Sequence, residues 1–417
     1  MGLLQNSNAI PTAAAAGDFY THQIANSCRT HDDTSSSIRR TPSSDGNRQT
    51  WCVSMWVKRA KISETQFIFE AGTSGDSSSR LFWSFVAGDG IEVSSGETNY
   101  GTSTAVFRDP SAWYHIFIKN ASDVNTVYIN GTSVKSSSIS GDTAVNSQVA
   151  HSIACRASGT GEEAESYVSE FLLFDGTAYD PTDLAENKNG VWIPKDPSGL
   201  TLSGTNTTWL KFTNASDLGE DFSGNNNDWT LGSAITSDDQ MLDTPTFSSD
   251  DGNGGNFMTF NPLQRYSQGG TVPVLQEGNL RVWNSGYDDY KYVHTTFNLK
   301  PNTGKWYFEC LAETSMGSAN NIDSMGLCTA GPNKIPYLWS TGGPTYSIIT
   351  WRGNTGKKSL DSEDVSVTQT STNVANMTAG QIWQWALDTD TGKLWVGVDD
   401  TWYAEDGGTD GDPSAGT

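Results

Sequence analysis

The sequence predicts an all-β protein built of tandem antiparallel β-sandwiches. Three observations carry this reading. Gly, Ser, Thr, Asn and Asp are abundant and long helix-favouring runs are missing, the composition of sandwiches with generous loops. Short runs alternating apolar with polar residues recur at roughly ten-residue spacing along the first part of the chain. Two hairpin patterns of one design, Trp113–Val134 and Gly380–Gly408, lie far apart in the 417 residues. A chain of this length is expected to hold about two or three domains, each with a full core.

Taken from the start, Met1–Gly17 is low in charge and ends in four alanines. It reads as an extended arm or short helix that docks onto a partner, or as a disordered terminus. The first sandwich is expected over residues 18–235. Phe19–Ser27 and Ser36–Pro42 read as short strands around the turn-rich Arg29–Ser35. Thr50–Lys58 sets Trp51, Val53, Met55 and Val57 against Cys52, Ser54 and Trp56, the period of two that a strand requires. Gln66–Glu70, Arg80–Val86 and Gly90–Val93 continue the series. In the hairpin Trp113–Val134, Asn120–Asn125 is expected to turn the chain, Thr126–Ile129 to return it, and Asn130-Gly131 to form a tight type I′ turn. Thr132–Ala164 is rich in Ser, Gly and Thr and reads as loops around one strand, Val149–Ala154. Tyr167–Phe174 is strongly strand-like. Asp180 then caps a short helix with Pro181 in its first position, and Thr208–Phe212 closes the sandwich.

Residues 236–256 are dense in Asp, Gly, Ser and Thr and read as a linker. The second sandwich is expected over 257–417, with strands at Asn279–Trp283, His294–Phe297, Lys305–Ala312, Ser324–Cys328, Thr345–Thr350, Gln381–Leu387 and Lys393–Val398. The last two flank the turn Asp388–Gly392, with Trp383, Trp385 and Leu387 on one face and Ile382, Gln384 and Ala386 on the other. A second turn at Asp399-Asp400 leads into Trp402. No strand pattern follows in Asp410–Thr417, so this sandwich is expected to be incomplete at its C-terminal end.

The formal charge of −23 argues against a nucleic-acid partner, since phosphate recognition needs clustered Lys and Arg. Five scattered cysteines without a CxxC argue against a disulfide framework and a structural zinc site; they read as buried small apolar residues. No apolar stretch reaches membrane-spanning length, so no membrane insertion is expected.

Thr50–Lys58, the Trp113, His115 and Val127–Gly131 run, and Ser169–Gly176 together resemble the concanavalin A-like, laminin-G-type sandwich family. Leu218–Trp229, LGEDFSGNNNDW, is similar to a stretch common in that family. Gly304–Glu309, Met325–Cys328 and Trp385–Trp402 resemble a SPRY-type sandwich and cover about half of the second region. Both sandwiches, with MGLLQNSNAIPTAAAAG and SCRTHDDTSSSIRRTPSSDGNRQTW, look like virion proteins of marine tailed bacteriophages. That resemblance implies a concanavalin A-like jelly roll followed by a SPRY-like sandwich, in a tail fibre or other appendage at the particle surface.

Catalysis is not expected. The two-carboxylate mechanism needs acids held at a set separation, and no E-x-D-x-x-E strand is present. Glu162, Glu163, Glu165 and Glu170, and the group Asp361–Asp364, read as solvated acidic loops. A nucleophile elbow and an H-E-x-x-H helix are also missing. No cofactor is expected other than calcium: Asp221, Ser223, Asn225, Asn227 and Asp228 space oxygen ligands around Gly224 as hard-cation loops do. The competing account is an Asx-turn loop that satisfies its own backbone.

Glycan recognition calls for exposed aromatics and planar polar groups on loops. Trp283, Tyr287, Tyr290, Tyr292, Trp339, Tyr346, Trp351 and Trp402 are candidates. Tyr287, Tyr290 and Tyr292, and Trp351 with Arg352 and Asn354, fall in loop-like segments and are the preferred ones, against a rim-packing role. The expected function is that of a structural tail protein engaged in host attachment. The arm would dock to other virion proteins and the sandwiches would face a host-surface glycan or protein. A capsid-decorating protein and a lectin-like carbohydrate-binding module are the alternatives. Fibres of this kind are commonly homo-trimers, although no heptad run encodes a coiled coil here.

Overall fold

A computed structural model describes residues 19–73, 80–157, 162–247, 254–267, 271–283, 291–313, 378–403 and 411–416, and the backbone alone of 324–328, 348–352 and 357–361. The arm Met1–Gly17 therefore lies outside the described residues. The chain forms two compact units, Met1–Phe297 and Asn298–Thr417. Among the described residues no helix is long and apolar enough to cross a membrane.

The first unit opens with β1 (Ser27–Thr30), β2 (Ile38–Arg40), β3 (Trp51–Arg59), β4 (Gln66–Gly72) and β5 (Leu81–Phe85). It continues with β6 (Ile91–Ser95), β7 (Thr98–Thr102), β8 (Trp113–Ala121), β9 (Val124–Ile129), β10 (Thr132–Ser138), β11 (Ala150–Ile153) and β12 (Ser166–Asp175). The short helix α1 (Pro181–Leu184) follows, then β13 (Ala185–Lys188), β14 (Val191–Pro194), β15 (Thr208–Leu210), β16 (Thr230–Leu231) and β17 (Gln240–Met241). One sheet runs β10-β9-β8-β3-β12-β1-β17, with β15 also on β12; the other runs β16-β2-β11-β4-β5-β6-β7. Neighbouring strands pair antiparallel, as Trp51↔Asn120 and Phe69↔Trp83 illustrate.

The alternation in Thr50–Lys58 explains the layering. Trp51, Val53, Met55 and Val57 enter the core between the sheets, together with Ile116, Val168 and Phe171 from one and Ile38, Phe69 and Trp83 from the other. Trp51 meets Trp83 edge-on at 5.7 Å, a geometry that the ring quadrupoles favour. The opposite face of β3, β8 and β12 is buried as well. Cys52, Phe117, Leu172 and Phe174 pack under Leu184 and Tyr179, and Trp56 and Tyr167 pack with Ala185 and Trp192. Cys28, Cys52 and Cys155 are free and buried, as the sequence reading expects.

The structure departs from that reading in several places, the first strand among them, which lies at Ser27–Thr30 and not over Phe19–Ser27. The first hairpin turns tightly at Ser122-Asp123, both at positive φ, rather than over Asn120–Asn125. Asn120 and Asn125 sit opposite one another in the ladder, and Asn125 Oδ1 accepts the Trp83 indole N–H at 3.1 Å. Thr132–Ser138, expected as loop, is a strand, because the Asn130-Gly131 turn extends the ladder against β9.

A further departure is the linker. Residues 237–247 are fastened to the first sandwich, and the division between units falls at 297/298, well past the expected 236–256. Asp239 accepts from the Arg29 guanidinium at 2.8 Å and from His31 Nε2 at 2.8 Å. Lys58 Nζ, fully buried, donates to Asp243 Oδ2 at 2.7 Å, Asn256 Oδ1 at 2.9 Å and the Phe257 carbonyl at 2.8 Å. Tyr167 Oη donates to the Gly278 carbonyl at 2.7 Å, and Gly278 N–H donates to Glu165 at 2.8 Å. Polar composition thus marks a docked segment whose acidic side chains meet cations on β1 and β3. The strands β18 (Phe260–Ser267), β19 (Val274–Gln276), β20 (Arg281–Trp283) and β21 (Lys291–Thr295) belong to this unit, paired as β18-β21 and β19-β20.

The hydrogen bond to Asp239 raises the pKa of His31, outweighing its burial. A raised histidine contributes stability that is complete below its ordinary pKa and is lost as pH climbs through the folded value. Lowering the pH from about 8 to about 6 is therefore expected to raise the melting temperature more in the native chain than in His31→Gln. Equal gains in the two proteins, by differential scanning fluorimetry, would contradict this.

In the second unit, β22 (Lys305–Leu311), β26 (Ile382–Asp388), β27 (Lys393–Val398) and β28 (Thr401–Tyr403) form one sheet in that order. The backbone of β23 (Ser324–Cys328), β24 (Ile348–Arg352) and β25 (Lys357–Asp361) forms another. Trp383 and Trp385 lie on one face of β26, as the alternation requires, and pack with Val396, Val398, Phe308 and Cys310.

Candidate functional site

Of the aromatics expected on loops, Tyr292 lies in β21, opposite Tyr266, and stacks on that ring at 5.1 Å. Trp351 and Arg352 lie in β24, opposite Met325 and Ser324; the regular ladder, not a loop, places them. Tyr287, Tyr290 and Asn354, with Trp339 and Tyr346, fall outside the described residues.

Asp221, Ser223, Asn225, Asn227 and Asp228 do converge after β15. Asp221 Oδ1 accepts from the Trp209 and Ser223 N–H groups at 2.8 and 2.9 Å. Its Oδ2 accepts from Ser223 Oγ at 2.7 Å and the Asn227 N–H at 2.8 Å. Asp228 Oδ1 accepts the Asp221 N–H at 2.8 Å, and Asn227 Oδ1 takes a guanidinium N–H of Arg40. The Asn225 and Asn227 amides donate to the carbonyls of Leu202, Thr205 and Thr207. A hard cation would need these same oxygens; here they hold N–H and O–H donors, the arrangement of Asx turns. Among the described residues no group of three or more His, Cys, Asp or Glu is placed to hold a metal ion. Asp221→Ala removes four bonds to a carboxylate and is expected to cost about 2–4 kcal/mol. A chelator is expected to leave the melting temperature of the native chain unchanged, and a fall on adding EDTA would return calcium to this loop.

The acidic group expected to be solvated is largely buried. Glu163, Glu165 and Glu170 are 4%, 4% and 6% exposed. Glu170 pairs with His22 at 2.6 Å and Glu162 with Arg156 at 3.2 Å, so these carboxylates tie segments together. Asp361 lies in β25, and the rest of its group, Glu363 and Asp364, falls outside the described residues. His115 and Ser54 form a buried pair at 2.9 Å, but its polarity is wrong for a nucleophile. His115 Nδ1 accepts the Trp192 indole N–H at 3.0 Å, and burial pushes the ring pKa down to about 3. The single proton therefore sits on Nε2 and donates to Ser54, whereas a catalytic histidine takes the hydroxyl proton.

The arrangement best suited to recognition lies on the outward face of β22-β26-β27-β28. Alternation sends Trp383 and Trp385 to the core and leaves Gln384 on the other face, opposite Glu309 on β22 and Gly397 on β27. Gly397 is in turn opposite Trp402 on β28. A Cβ on Gly397 would lie 3.1 Å from the Trp402 indole, so glycine lets that ring lie close against the strand. Tyr307, 53% exposed, stands beside it with ring centroids 6.4 Å apart.

Beneath the aromatics runs a polar network centred on Gln384, which is 4% exposed. Its Nε2 donates to Tyr307 Oη at 2.9 Å and to Asp400 Oδ1 at 2.8 Å. Its Oε1 accepts the Asp400 N–H at 2.8 Å. Tyr307 Oη donates to Glu309 Oε2 at 2.6 Å. Burial and the adjoining carboxylate raise the Tyr307 pKa, so the phenol keeps the proton it donates. Asp400 is held in place by the two-residue turn Asp399-Asp400, both at positive φ, as type I′ hairpins require. The surface combines two accessible rings with fixed planar polar groups. Trp402 was legible as a candidate; Tyr307, Glu309, Gln384 and Asp400 were not. The available signal was a lone Gln between two core tryptophans.

Residues 32–183 match a laminin-G model of the Concanavalin A-like lectin/glucanases superfamily. The first unit carries a concanavalin A-like domain. Solved structures similar to the chain include a candidate carbohydrate binding protein from Bacteroides ovatus ATCC 8483, at 16% identity and a TM-score of 0.35, covering 52% of this chain and 62% of that one. A heptameric SAP-like pentraxin from Limulus polyphemus matches at 14% identity and a TM-score of 0.31, covering 38% of this chain and 78% of that one. The CBM40 of a Ruminococcus gnavus sialidase, bound to α2,3-sialyllactose, matches at 10% identity and a TM-score of 0.28, covering 36% of this chain and 97% of that one. No curated protein matches the sequence. The concanavalin A-like domain is thus the part of the chain with a family match, and the Tyr307–Trp402 surface lies downstream of it.

Proposed function

We propose that the chain is a non-catalytic glycan-recognition protein, acting as a structural virion protein in the tail fibre or a tail-attached appendage of a tailed bacteriophage. The observation that carries recognition is the outward face of β22-β26-β27-β28. Tyr307 and Trp402 stand there over a buried glutamine that bonds Asp400 directly and reaches Glu309 through the Tyr307 hydroxyl. Aromatic rings give a pyranose an apolar face to stack on, and fixed planar acceptors read its hydroxyls. The concanavalin A-like domain supports the same reading through the lectin membership of its superfamily. A non-catalytic role is supported by the structural engagement of Glu162, Glu165, Glu170 and His115.

The virion setting rests on the resemblance of the first fifty residues and of the tandem sandwiches, the second SPRY-like, to tailed-phage proteins. In this reading Met1–Gly17 docks to other virion proteins, the sandwiches face the host surface, and the assembly is a homo-trimer. Two experiments test it. Full chain on a glycan array is expected to bind a defined set of sugars, and release of reducing sugar from the same glycans would replace recognition with hydrolysis. Immunogold labelling is expected to mark the tail; label over the shell would replace the tail role with capsid decoration, and unlabelled particles would remove the virion role.

A further inference from the structure

We infer that the ligand of the Tyr307–Trp402 face is an uncharged, hydroxyl-rich sugar, and that the Glu309 and Asp400 carboxylates select it against anionic glycans by their charge and their remaining acceptor oxygens. This rests on the reading of that face as a glycan site. Most donors on that face are already committed. Both N–H bonds of Gln384 are committed, to Tyr307 Oη and Asp400 Oδ1, and the Tyr307 proton is committed to Glu309 Oε2. The Asp400 backbone N–H is taken by Gln384 Oε1. Each carboxylate keeps its second oxygen, Glu309 Oε1 and Asp400 Oδ2, as an acceptor beside the rings. A carboxylate is an acceptor alone when ionised.

Apart from the Trp402 indole N–H, which can only donate, a ligand entering between Tyr307 and Trp402 therefore meets acceptors and must bring donors of its own. Sugar hydroxyls and amide N–H groups do so; a sialic or uronic carboxylate and a sulfate bring only acceptors and the same charge sign. Like charges brought together on a partly desolvated face discriminate strongly. Lys305 and Lys393, the cations on that face of β22 and β27, both stand opposite Asp388 at the far end of the ladder from Gln384 and Asp400, and Lys393 Nζ donates to the Gly416 carbonyl at 2.7 Å.

The test is calorimetric titration of the full chain with three sets of oligosaccharides matched in length: neutral, sialylated or uronic, and sulfated. The native chain is expected to bind within the neutral set and to bind the anionic sets at least about tenfold more weakly. Glu309→Gln and Asp400→Asn convert an acceptor into a group that also donates. Each is expected to weaken the neutral ligand by about tenfold and to narrow the gap to the anionic sets. Tyr307→Ala locates the site. Anionic binding equal to neutral, and lost in Tyr307→Ala, would overturn the selection rule while leaving the glycan site in place. Absence of binding in every set would overturn both. Both carboxylate variants are at turn or strand-surface positions, and unchanged melting curves certify that they fold.

Discussion

Alanine in place of Trp402 is expected to weaken glycan binding by about 10–100-fold. Stacking on an aromatic side chain contributes about 1–3 kcal/mol per nucleobase by alanine substitution, a pyranose face on an indole is expected to fall on the same scale, and each 1.4 kcal/mol is about tenfold. The expectation is specific to this residue because of how it is held. Trp402 lies at the outer edge of the sheet, half-buried, with Gly397 beneath it, and is outside the cluster formed by Trp383, Trp385, Val396 and Val398. Removing the indole therefore takes away ligand contact and little of the core, so the melting temperature should change slightly while affinity falls. Gly397→Val is a companion: its side chain meets the indole at the position where a Cβ would already lie 3.1 Å away, tilts the ring and should weaken binding without deleting it. Titration of both variants by calorimetry checks the pair. Full affinity in Trp402→Ala would remove the ring from the site.

Lys58→Ala is expected to be strongly damaging to the first unit, at about 3–5 kcal/mol. Lys58 and Asp243 side chains are 1% and 5% exposed. All three ammonium protons of Lys58 are engaged, and Asp243 Oδ1 accepts the Trp113 indole N–H at 3.0 Å. Truncating the lysine leaves a carboxylate in a dry site whose burial already pushes its pKa up, against the pull of Lys58. The loss should shrink in acid. Without Lys58 the folded-state pKa of Asp243 rises further above its unfolded value, so the folded state binds the extra proton and stability falls as pH rises through that range. Lys58→Met with Asp243→Leu, which removes both charges, should restore part of the stability. Urea denaturation of the three proteins at two pH values decides it; equal losses in the single and double variants would show that the pair's charge is not what matters.

The two predictions sit at opposite ends of what the sequence made legible. In Trp51–Arg59, Ile382–Asp388 and Lys393–Val398 a clean period of two sets out the two rows of side chains, but not that both rows of the first are buried. The Asp221 loop was legible as a convergence of oxygens but not in its meaning. Spacing cannot say whether Asp221 meets a cation or the N–H groups of Trp209, Ser223 and Asn227. The docked segment at 237–247 was misread because its partners are distant: Asp243 and Lys58 are 185 residues apart in sequence. Composition sees an acidic, turn-rich stretch and not the buried cations awaiting it. The Tyr307–Trp402 face escapes sequence reading for a related reason. Tyr307 and Glu309 look like ordinary positions of an alternating strand until register brings them beside Gln384 and Trp402.

Hydrogen–deuterium exchange on the full chain, with and without a bound neutral oligosaccharide taken from the glycan array, tests the location of recognition most directly. Protection is expected in peptides spanning 305–311 and 382–403, where the sugar would cover β22 and β28 and steady the Asp399-Asp400 turn. Protection confined to residues 32–183 would contradict the account, because it would place recognition on the concanavalin A-like domain and leave the Tyr307–Trp402 face without a ligand.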